Sequence, residues 1–209
     1  RFIGKPLVFV GTIGLIPREI NGTPGHEKKA NPGDKIMMVG GRVGRDGIHG
    51  ATFSSVELDE NSPATAVQIG DPITQKRMFD FLLEARDLGL YNAITDNGAG
   101  GLSSSVGEMA RDPGGARLDL SKAPLKYAGL APWEILVSEA QERMTLAVPP
   151  DRIDRFLELA RRREVESTVL GDFTDDGIFH VTHGEQTVAS IEMEFLQQGS
   201  PEMDQVARC

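Results

Sequence analysis

Runs of apolar residues with the spacing of strands or helices recur along most of the chain. Short apolar runs, several of them rich in β-branched residues, predict strands over 7–16, 36–39, 93–95, 144–148, 168–173, 178–183 and 187–195. Apolar residues three and four positions apart predict helices over 71–89, 102–111, 132–138 and 150–160. Turn sequences at 175–177 and 183–185 suit hairpins between the last three strands. Together these elements predict a mixed sheet with packed helices, an α/β or α+β domain.

Composition and charge narrow the class of protein. The 209 residues include 22 Lys and Arg against 31 Asp and Glu, a net charge of −9. This balance argues against a general nucleic-acid binder, which needs clustered basic residues. No run approaches the roughly 20 apolar residues of a membrane-spanning helix, so no membrane partner is expected. Cys209 is the single cysteine, which excludes an intramolecular disulfide and fits a reducing, cytoplasmic location.

The first residues favour a piece of a longer protein. The chain starts with Arg1 rather than Met and runs directly into the apolar segment 7–16. Because an apolar strand without its neighbours invites pairing with another chain, self-association through residues 7–16 is expected.

A glycine-rich segment at 40–50 is the first candidate site. Glycines there permit sharp turns and close approach of the backbone to another group. Backbone N–H groups of such a loop can bind an anion. The candidate anion-binding residues are Arg45, Gly47, His49 and Gly50. The alternative is a purely structural glycine turn.

Three further segments carry polar residues at the ends of predicted elements. Asp96 follows a short strand and precedes glycines and a helix, which suits Mg²⁺ held beside a phosphate, although Asp96 could merely cap the turn. Gln68 is a candidate ligand group, whereas Asp71 has a structural role as N-cap before Pro72. Residues 138–144 form a polar cluster between a helix and a strand, either a binding loop or a solvated turn in which Arg143 pairs with a neighbouring glutamate.

Four motifs in this order resemble phosphoribosylformylglycinamidine synthase, the ATP-dependent synthetase of purine biosynthesis. They are Gly-Arg-Asp-Gly-Ile-His-Gly-Ala-Thr-Phe-Ser-Ser (44–55), Gln-Ile-Gly-Asp-Pro (68–72), Asp-Asn-Gly-Ala-Gly-Gly-Leu-Ser-Ser (96–104) and Ser-Glu-Ala-Gln-Glu-Arg-Met (138–144). Each motif alone is modest, but four in one order over most of residues 7–195 are specific.

The resemblance implies a fold like the C-terminal domain of aminoimidazole ribonucleotide synthetase. The chain would be the C-terminal half of the enzyme's first module. Residues 1–22 would be the last strand and linker of the preceding half, 23–196 the domain itself and 197–209 a polar tail. The family's catalytic histidine, its ATP-contacting lysine and its first magnesium ligands would lie in the preceding half, so no catalytic residue is expected in this chain.

The resemblance also implies a reaction and residue roles. The family converts formylglycinamide ribonucleotide, ATP and glutamine-derived ammonia to formylglycinamidine ribonucleotide. By motif, Asp96 matches a magnesium ligand and Gln68 a substrate-binding position, and Glu139, Ala140 and Gln141 match a substrate-binding loop. Ala140 stands where the family commonly has serine, and Asn97 where an apolar residue is expected. The implied partners are a glutaminase subunit and a small accessory subunit, if the parent enzyme is the short form.

Two other classes of function stay open at this point. One is a different synthetase or kinase with the same fold. The other is a non-catalytic paralogue that acts as an interaction module.

Overall fold

A computed structural model of the chain describes residues 11–48 and 70–200. Its strands are β1 (Glu19–Ile20), β2 (Thr23–Pro24), β3 (Lys35–Gly40), β4 (Ala93–Asp96), β5 (Gly115–Asp119), β6 (Arg143–Val148), β7 (Ser167–Thr174), β8 (Ile178–His183) and β9 (Gln186–Glu192). Its α-helices are α1 (Pro72–Asp87), α2 (Gly101–Met109), α3 (Pro132–Val137), α4 (Ile153–Arg162) and α5 (Met193–Gln198). Short 3₁₀ turns cover Leu120–Lys122 and Pro150–Arg152.

One mixed sheet organises the domain. Its seven strands lie in the order β4-β6-β3-β7-β5-β8-β9, while β1 and β2 form a separate hairpin. Neighbouring strands in the sheet are antiparallel except β5 and β8, which are parallel. The predicted fold class, a mixed sheet with packed helices, is confirmed.

Helices cover both faces of this sheet. Successive side chains of a strand point to opposite faces, and β3 shows the consequence directly. Ile36 and Met38 belong to a core that includes side chains of α2, α3 and α5. Met37 and Val39 belong to a second core with side chains of α1 and α4. β3 is therefore buried on both sides, which explains its continuous apolar sequence.

Helix α1 begins and ends at the residues that its sequence predicts. The Asp71 carboxylate accepts hydrogen bonds from the backbone N–H groups of Ile73 at 3.0 Å and Thr74 at 3.3 Å. These bonds satisfy N–H groups that have no partner within the helix. The Thr74 hydroxyl also donates to Asp71, at 2.8 Å. This hydroxyl bond, followed by the two backbone bonds, lowers the pKa of Asp71. At the other end, Gly89 adopts φ +64°, which favours glycine.

The predicted hairpin at 175–177 is wrong, because β5 lies between β7 and β8. The turn chemistry itself is as the sequence indicates: Gly177 has φ +77°, and the Asp176 carboxylate accepts from the Ile178 N–H at 3.3 Å. However, β5 pairs antiparallel with β7 and parallel with β8. This strand was not predicted, since Gly115–Asp119 contains no β-branched or aromatic residue. The hairpin at 183–185 is confirmed by the pairing of β8 with β9.

The predicted strand over 187–195 is too long. Strand β9 ends at Glu192, which pairs with Ile178 at the start of β8. Beyond that point β8 offers no further backbone for pairing. The chain continues as α5, whose Met193 is buried in the core and whose Gln197 side chain donates to the Gly107 carbonyl at 3.1 Å.

The predicted strand over 7–16 is not found where it can be inspected. Residues 11–16 have no regular structure, and residues 7–10 lie outside the described part. Ile13 and Leu15 are fully exposed and Ile16 is two-thirds exposed. No described strand pairs with this segment, and a strand without a partner gains no ladder hydrogen bonds.

Deletion of residues 1–16 is expected to shift the isolated 209-residue chain from self-associated species toward monomer. The exposed apolar side chains of this segment favour burial against another copy. Light scattering of the full and shortened chains over a range of concentrations tests this. A full chain that stays monomeric at high concentration would contradict the expectation.

Within the described residues, no helix is long and apolar enough to cross a membrane.

Candidate functional site

The candidate site lies at one end of the strands of the sheet, where β3 and β4 end and β6 begins. Both β3 and β4 run antiparallel to the intervening β6. Gly40, the last residue of β3, pairs with Arg143, and Asp96, the last residue of β4, pairs with Met144. The register thus places the glycine-rich segment after β3 and the turn after β4 on either side of the loop that precedes β6.

Asp96 opens the turn between β4 and α2. Its side chain is exposed, and its Oδ1 accepts a hydrogen bond from the Gly98 N–H at 2.8 Å. One carboxylate oxygen therefore caps the turn, which is the structural role that the sequence offered as the alternative to a magnesium ligand. The other oxygen has no hydrogen-bond partner among the described residues, which leaves it for a cation or a ligand.

Asn97 is buried beside this exposed carboxylate. Its Oδ1 accepts from the Ser105 hydroxyl at 2.6 Å and from the Thr145 hydroxyl at 2.9 Å. These contacts tie the turn to α2 and β6. They explain how an amide stands where the resemblance indicated an apolar residue, because buried polar groups are tolerated when hydrogen-bonded. Its Nδ2 finds no partner in the described part of the chain.

The loop over 138–142 joins the other two segments. The Glu139 carboxylate accepts from the Gly100 N–H at 3.1 Å, at the start of α2. The Glu139 N–H donates to the Asp46 carbonyl at 2.8 Å. Glu139 is thus held between the turn that carries Asp96 and the glycine-rich segment. Gln141 is half-buried, and its side-chain amide donates to the Glu139 carbonyl at 3.4 Å.

Two glycines allow this loop to approach so closely. A Cβ on Gly40, which has φ +100°, would lie 2.1 Å from the Glu142 carbonyl oxygen. A Cβ on Gly101, with φ +55°, would lie 2.1 Å from the Ser138 carbonyl oxygen. Both contacts are with backbone, which cannot easily move aside. The sequence prediction that glycines mark close backbone approach is confirmed at Gly40.

The Arg45 side chain is bound by protein groups. Its Nε lies 2.8 Å from a Glu134 carboxylate oxygen, and its Nη2 donates to the Gly129 carbonyl at 3.2 Å. The hydrogen bond from the Ala131 N–H, followed by that from Arg45, lowers the pKa of Glu134. A ligand that used Arg45 would have to share this ion pair with Glu134, a partner that lies far along the chain and was not predicted.

The other members of the predicted anion-binding loop are less well defined. Gly47 adopts φ +66°, a left-handed conformation that favours glycine. His49, Gly50 and the candidate ligand group Gln68 lie outside the described residues. Their predicted roles stay predictions.

Ala140 has its side chain turned inward, with 2% of its surface exposed. Its N–H donates to the Ser138 hydroxyl at 3.2 Å. A substrate contact at Ala140, as the motif implies, would therefore come from backbone rather than from the side chain.

A cavity of about 360 Å³ opens beside the loop on the α1 side. Of the candidate site residues, Gln141 lines this cavity. The lining also includes backbone of Gly40 and Gly41 and the polar side chains Arg42, Asp71, Thr74, Arg77, Lys126, Glu142, Glu164 and Glu166. Its cations are paired with carboxylates, for example Arg42 with Glu166 at 2.9 Å. A second cavity of similar volume, beside Lys28 and Thr95, contains no candidate site residue.

Sequence reasoning missed the role of Arg143. An ion pair with Glu139 or Glu142 was the structural alternative, but the guanidinium instead donates to the backbone carbonyls of Ser138 and Ala140. Bonds to backbone leave no mark in the residue types of the partners. The only available signal was the position of an arginine directly before the strand predicted over 144–148.

Residues 31–184 match the family described as AIR synthase related protein, C-terminal domain, so the chain belongs to this family. Two solved structures support the same fold. T. maritima PurL complexed with FGAR is 34% identical, with a TM-score of 0.77 over 87% of this chain and 30% of that chain. E. coli HypE, a hydrogenase maturation protein, is 16% identical with a TM-score of 0.55, a likeness that shows the fold alone.

Within this family the chain is similar to PurL subunits of phosphoribosylformylglycinamidine synthase. The protein of Methanopyrus kandleri is 42% identical over 96% of this chain, and that of Thermomicrobium roseum 41% over 98%. The chain spans 28% of the length of each of these relatives. The resemblance drawn from the four motifs is therefore confirmed.

Proposed function

We propose that the chain is the C-terminal half of the first module of a phosphoribosylformylglycinamidine synthase. The whole enzyme would use ATP and glutamine-derived ammonia to convert formylglycinamide ribonucleotide (FGAR) to formylglycinamidine ribonucleotide in the cytoplasm. The observation that carries this proposal is the hydrogen bond from Gly100 to Glu139. It joins two motifs that the resemblance assigns separately to magnesium and to substrate. The relative of known structure named above was solved with FGAR, which supports the substrate.

The roles within this chain follow from the site. Gln68 and the Glu139–Gln141 loop would bind FGAR, the loop being fixed between β3, α2 and β6. Most of the ATP-binding surface would belong to the preceding half of the module. A glutaminase subunit and a small accessory subunit would deliver ammonia if the parent enzyme is the short form.

Asp96 fits a contribution to a magnesium site. Asp96 is exposed at a strand end, with one carboxylate oxygen bonded in the turn and the other without a hydrogen-bond partner among the described residues. In the described residues, no three acidic, histidine or cysteine side chains form a metal-binding group. One carboxylate suffices for Mg²⁺ when phosphate oxygens and water complete the coordination. When bound, Mg²⁺ would neutralise phosphate charge during transfer of the γ-phosphoryl group.

Complementation tests the proposed function. The full-length gene should restore growth of a purine auxotroph that lacks the synthetase subunit, on medium without purines. Growth only when purines are supplied, with the full-length protein present at normal levels, would favour a different synthetase or a non-catalytic paralogue.

Substitution Gln68→Ala in the full-length enzyme is expected to raise KM for FGAR by about 2- to 10-fold, since a lost hydrogen bond costs about 0.5–1.5 kcal/mol. The KM for ATP should change little. Steady-state kinetics with each substrate varied in turn measures both constants. An unchanged KM for FGAR would remove Gln68 from the substrate site.

A further inference from the structure

Arg143 stands beneath the loop that carries Glu139 and Gln141. It is the first residue of β6 and is 3% exposed. Its Nε donates to the Ala140 carbonyl at 2.8 Å, and its Nη2 donates to the Ser138 carbonyl. Within the described residues, no carboxylate lies within ion-pair distance of this guanidinium. Both bonds to oxygen therefore end on one short stretch of backbone.

These two bonds select which residues of the loop face inward. Ser138 and Ala140, whose carbonyls they hold, are buried, at 0% and 2% exposure. Glu139 and Gln141, which alternate with them, are half-buried. The guanidinium fixes the geometry of both carbonyls at once, because its N–H groups form a rigid planar fork. Glu139 and Gln141 therefore lie on the less buried side of the loop.

Packing alone does not account for an arginine here. Burial lowers the pKa of Arg143 to about 10, while the nearby Asp46 charge acts in the opposite direction. The group remains protonated at neutral pH, so a full charge is buried. Taking such a charge out of water is costly, and an apolar side chain of similar volume would fill the same space at less cost. The remaining nitrogen, Nη1, lies 3.9 Å from the Met38 sulfur.

We propose that Arg143 is a positioning residue for substrate binding, which holds the 138–142 loop so that Glu139 and Gln141 face FGAR. This inference rests on the proposed function. Arg143 acts through the loop and not by contact with substrate. A displacement of about 1 Å in a binding group can reduce a rate by about 100-fold, so loss of the two bonds should appear in catalysis.

Variants Arg143→Met and Arg143→Lys of the full-length enzyme test this. Methionine fills the space without donors, whereas lysine keeps the charge but cannot form the two-pronged contact. The expected result is a fall in kcat/KM for FGAR of about 100-fold with methionine and a smaller fall with lysine. The KM for ATP should stay within about 2-fold of the unmodified enzyme, because most of the ATP site would lie in the other half.

Arg152→Met is the matched control. Arg152 is a partly buried arginine that, like the more deeply buried Arg143, donates to a loop carbonyl, that of Gly89. Arg152 follows the last residue of β6, so it lies at the opposite end of the strands from the site. Its loss should lower the unfolding temperature without changing either KM. If Arg143→Met likewise lowers only the unfolding temperature, Arg143 is merely structural and the proposal is wrong.

Hydrogen exchange of the full-length protein provides a second readout, independent of activity. Amides of residues 139–142 should exchange faster in Arg143→Met than in Arg152→Met, with the strands of the sheet unchanged. Equal protection of the loop in both variants would overturn the proposal even if the enzyme acts on another substrate. A third outcome is that the unmodified enzyme does not act on FGAR, while amides of residues 139–142 still exchange faster in Arg143→Met. This would contradict the proposed function but would keep Arg143 as the residue that positions the loop.

Discussion

Asp96→Asn in the full-length enzyme is expected to lose at least about 100-fold in kcat/KM while keeping its fold. A bound metal contributes several kcal/mol to stabilising charge in the transition state, and each 1.4 kcal/mol is tenfold in rate. The asparagine Oδ1 can still accept the hydrogen bond from Gly98 that supports the turn. The substitution therefore removes charge but little structure. Kinetics at several Mg²⁺ concentrations, with thermal unfolding in parallel, measures both effects.

Asp176→Asn is the control for loss of a carboxylate in a turn, although Asp176, unlike Asp96, also pairs with Arg117 at 2.8 Å. The Asp176 carboxylate also follows a strand and also accepts from the N–H two residues on, that of Ile178, at 3.3 Å. Asp176 lies at the opposite end of the strands from Asp96, because β7 runs antiparallel to β3 and ends where β3 begins. The activity of the Asp176→Asn enzyme should stay near that of the unmodified enzyme. Full activity of Asp96→Asn, with an unchanged Mg²⁺ dependence, would mean that Asp96 only caps its turn.

The isolated 209-residue chain is expected to show no synthetase activity. The resemblance assigns the catalytic histidine and the ATP-contacting lysine to the preceding half of the module, and the chain spans 28% of its PurL relatives. In the proposed enzyme this chain would supply one wall of the site, with Asp96 and the loop at 138–142. A group that is not positioned against its partners contributes almost none of its catalytic effect.

The assay for this prediction mixes the purified chain with ATP, FGAR, ammonia and Mg²⁺ and follows ADP and amidine product. The full-length enzyme at the same molar concentration is the positive control. Circular dichroism should show that the shorter chain is folded, so that inactivity is not a trivial result. Product formed by the isolated chain above the background without enzyme would contradict the account.

The elements with strong local signals could be predicted from sequence. α1 has a capping aspartate, a proline and a terminal glycine, and its observed range Pro72–Asp87 agrees with these signals. β3 has a continuous apolar run because both of its faces are buried. In each case the residues that define the element lie within it.

Elements that depend on distant partners could not be predicted. β5 exists because β7 and β8 lie on either side of it, and nothing within Gly115–Asp119 indicates this. β9 stops at Glu192 because its partner begins at Ile178, although the apolar alternation continues. Residues 11–16 are apolar but have no strand to join in the described part of the chain.

The candidate site divides in the same way. The motifs at 96–104 and 138–144 could be found from sequence, because the resemblance depends on residue types. The contact between them, from the Gly100 N–H to Glu139, required the fold. The roles of Arg45 and Arg143 could not be found, since one depends on Glu134, far along the chain, and the other on backbone carbonyls.

The most direct test of the central claim is turnover by the full-length protein with FGAR, ATP, Mg²⁺ and ammonia. The account predicts that ADP and formylglycinamidine ribonucleotide form in equal amounts and that omission of FGAR stops both. ATP consumption that is indifferent to FGAR, or no turnover by a folded full-length protein supplied with all four, would contradict it.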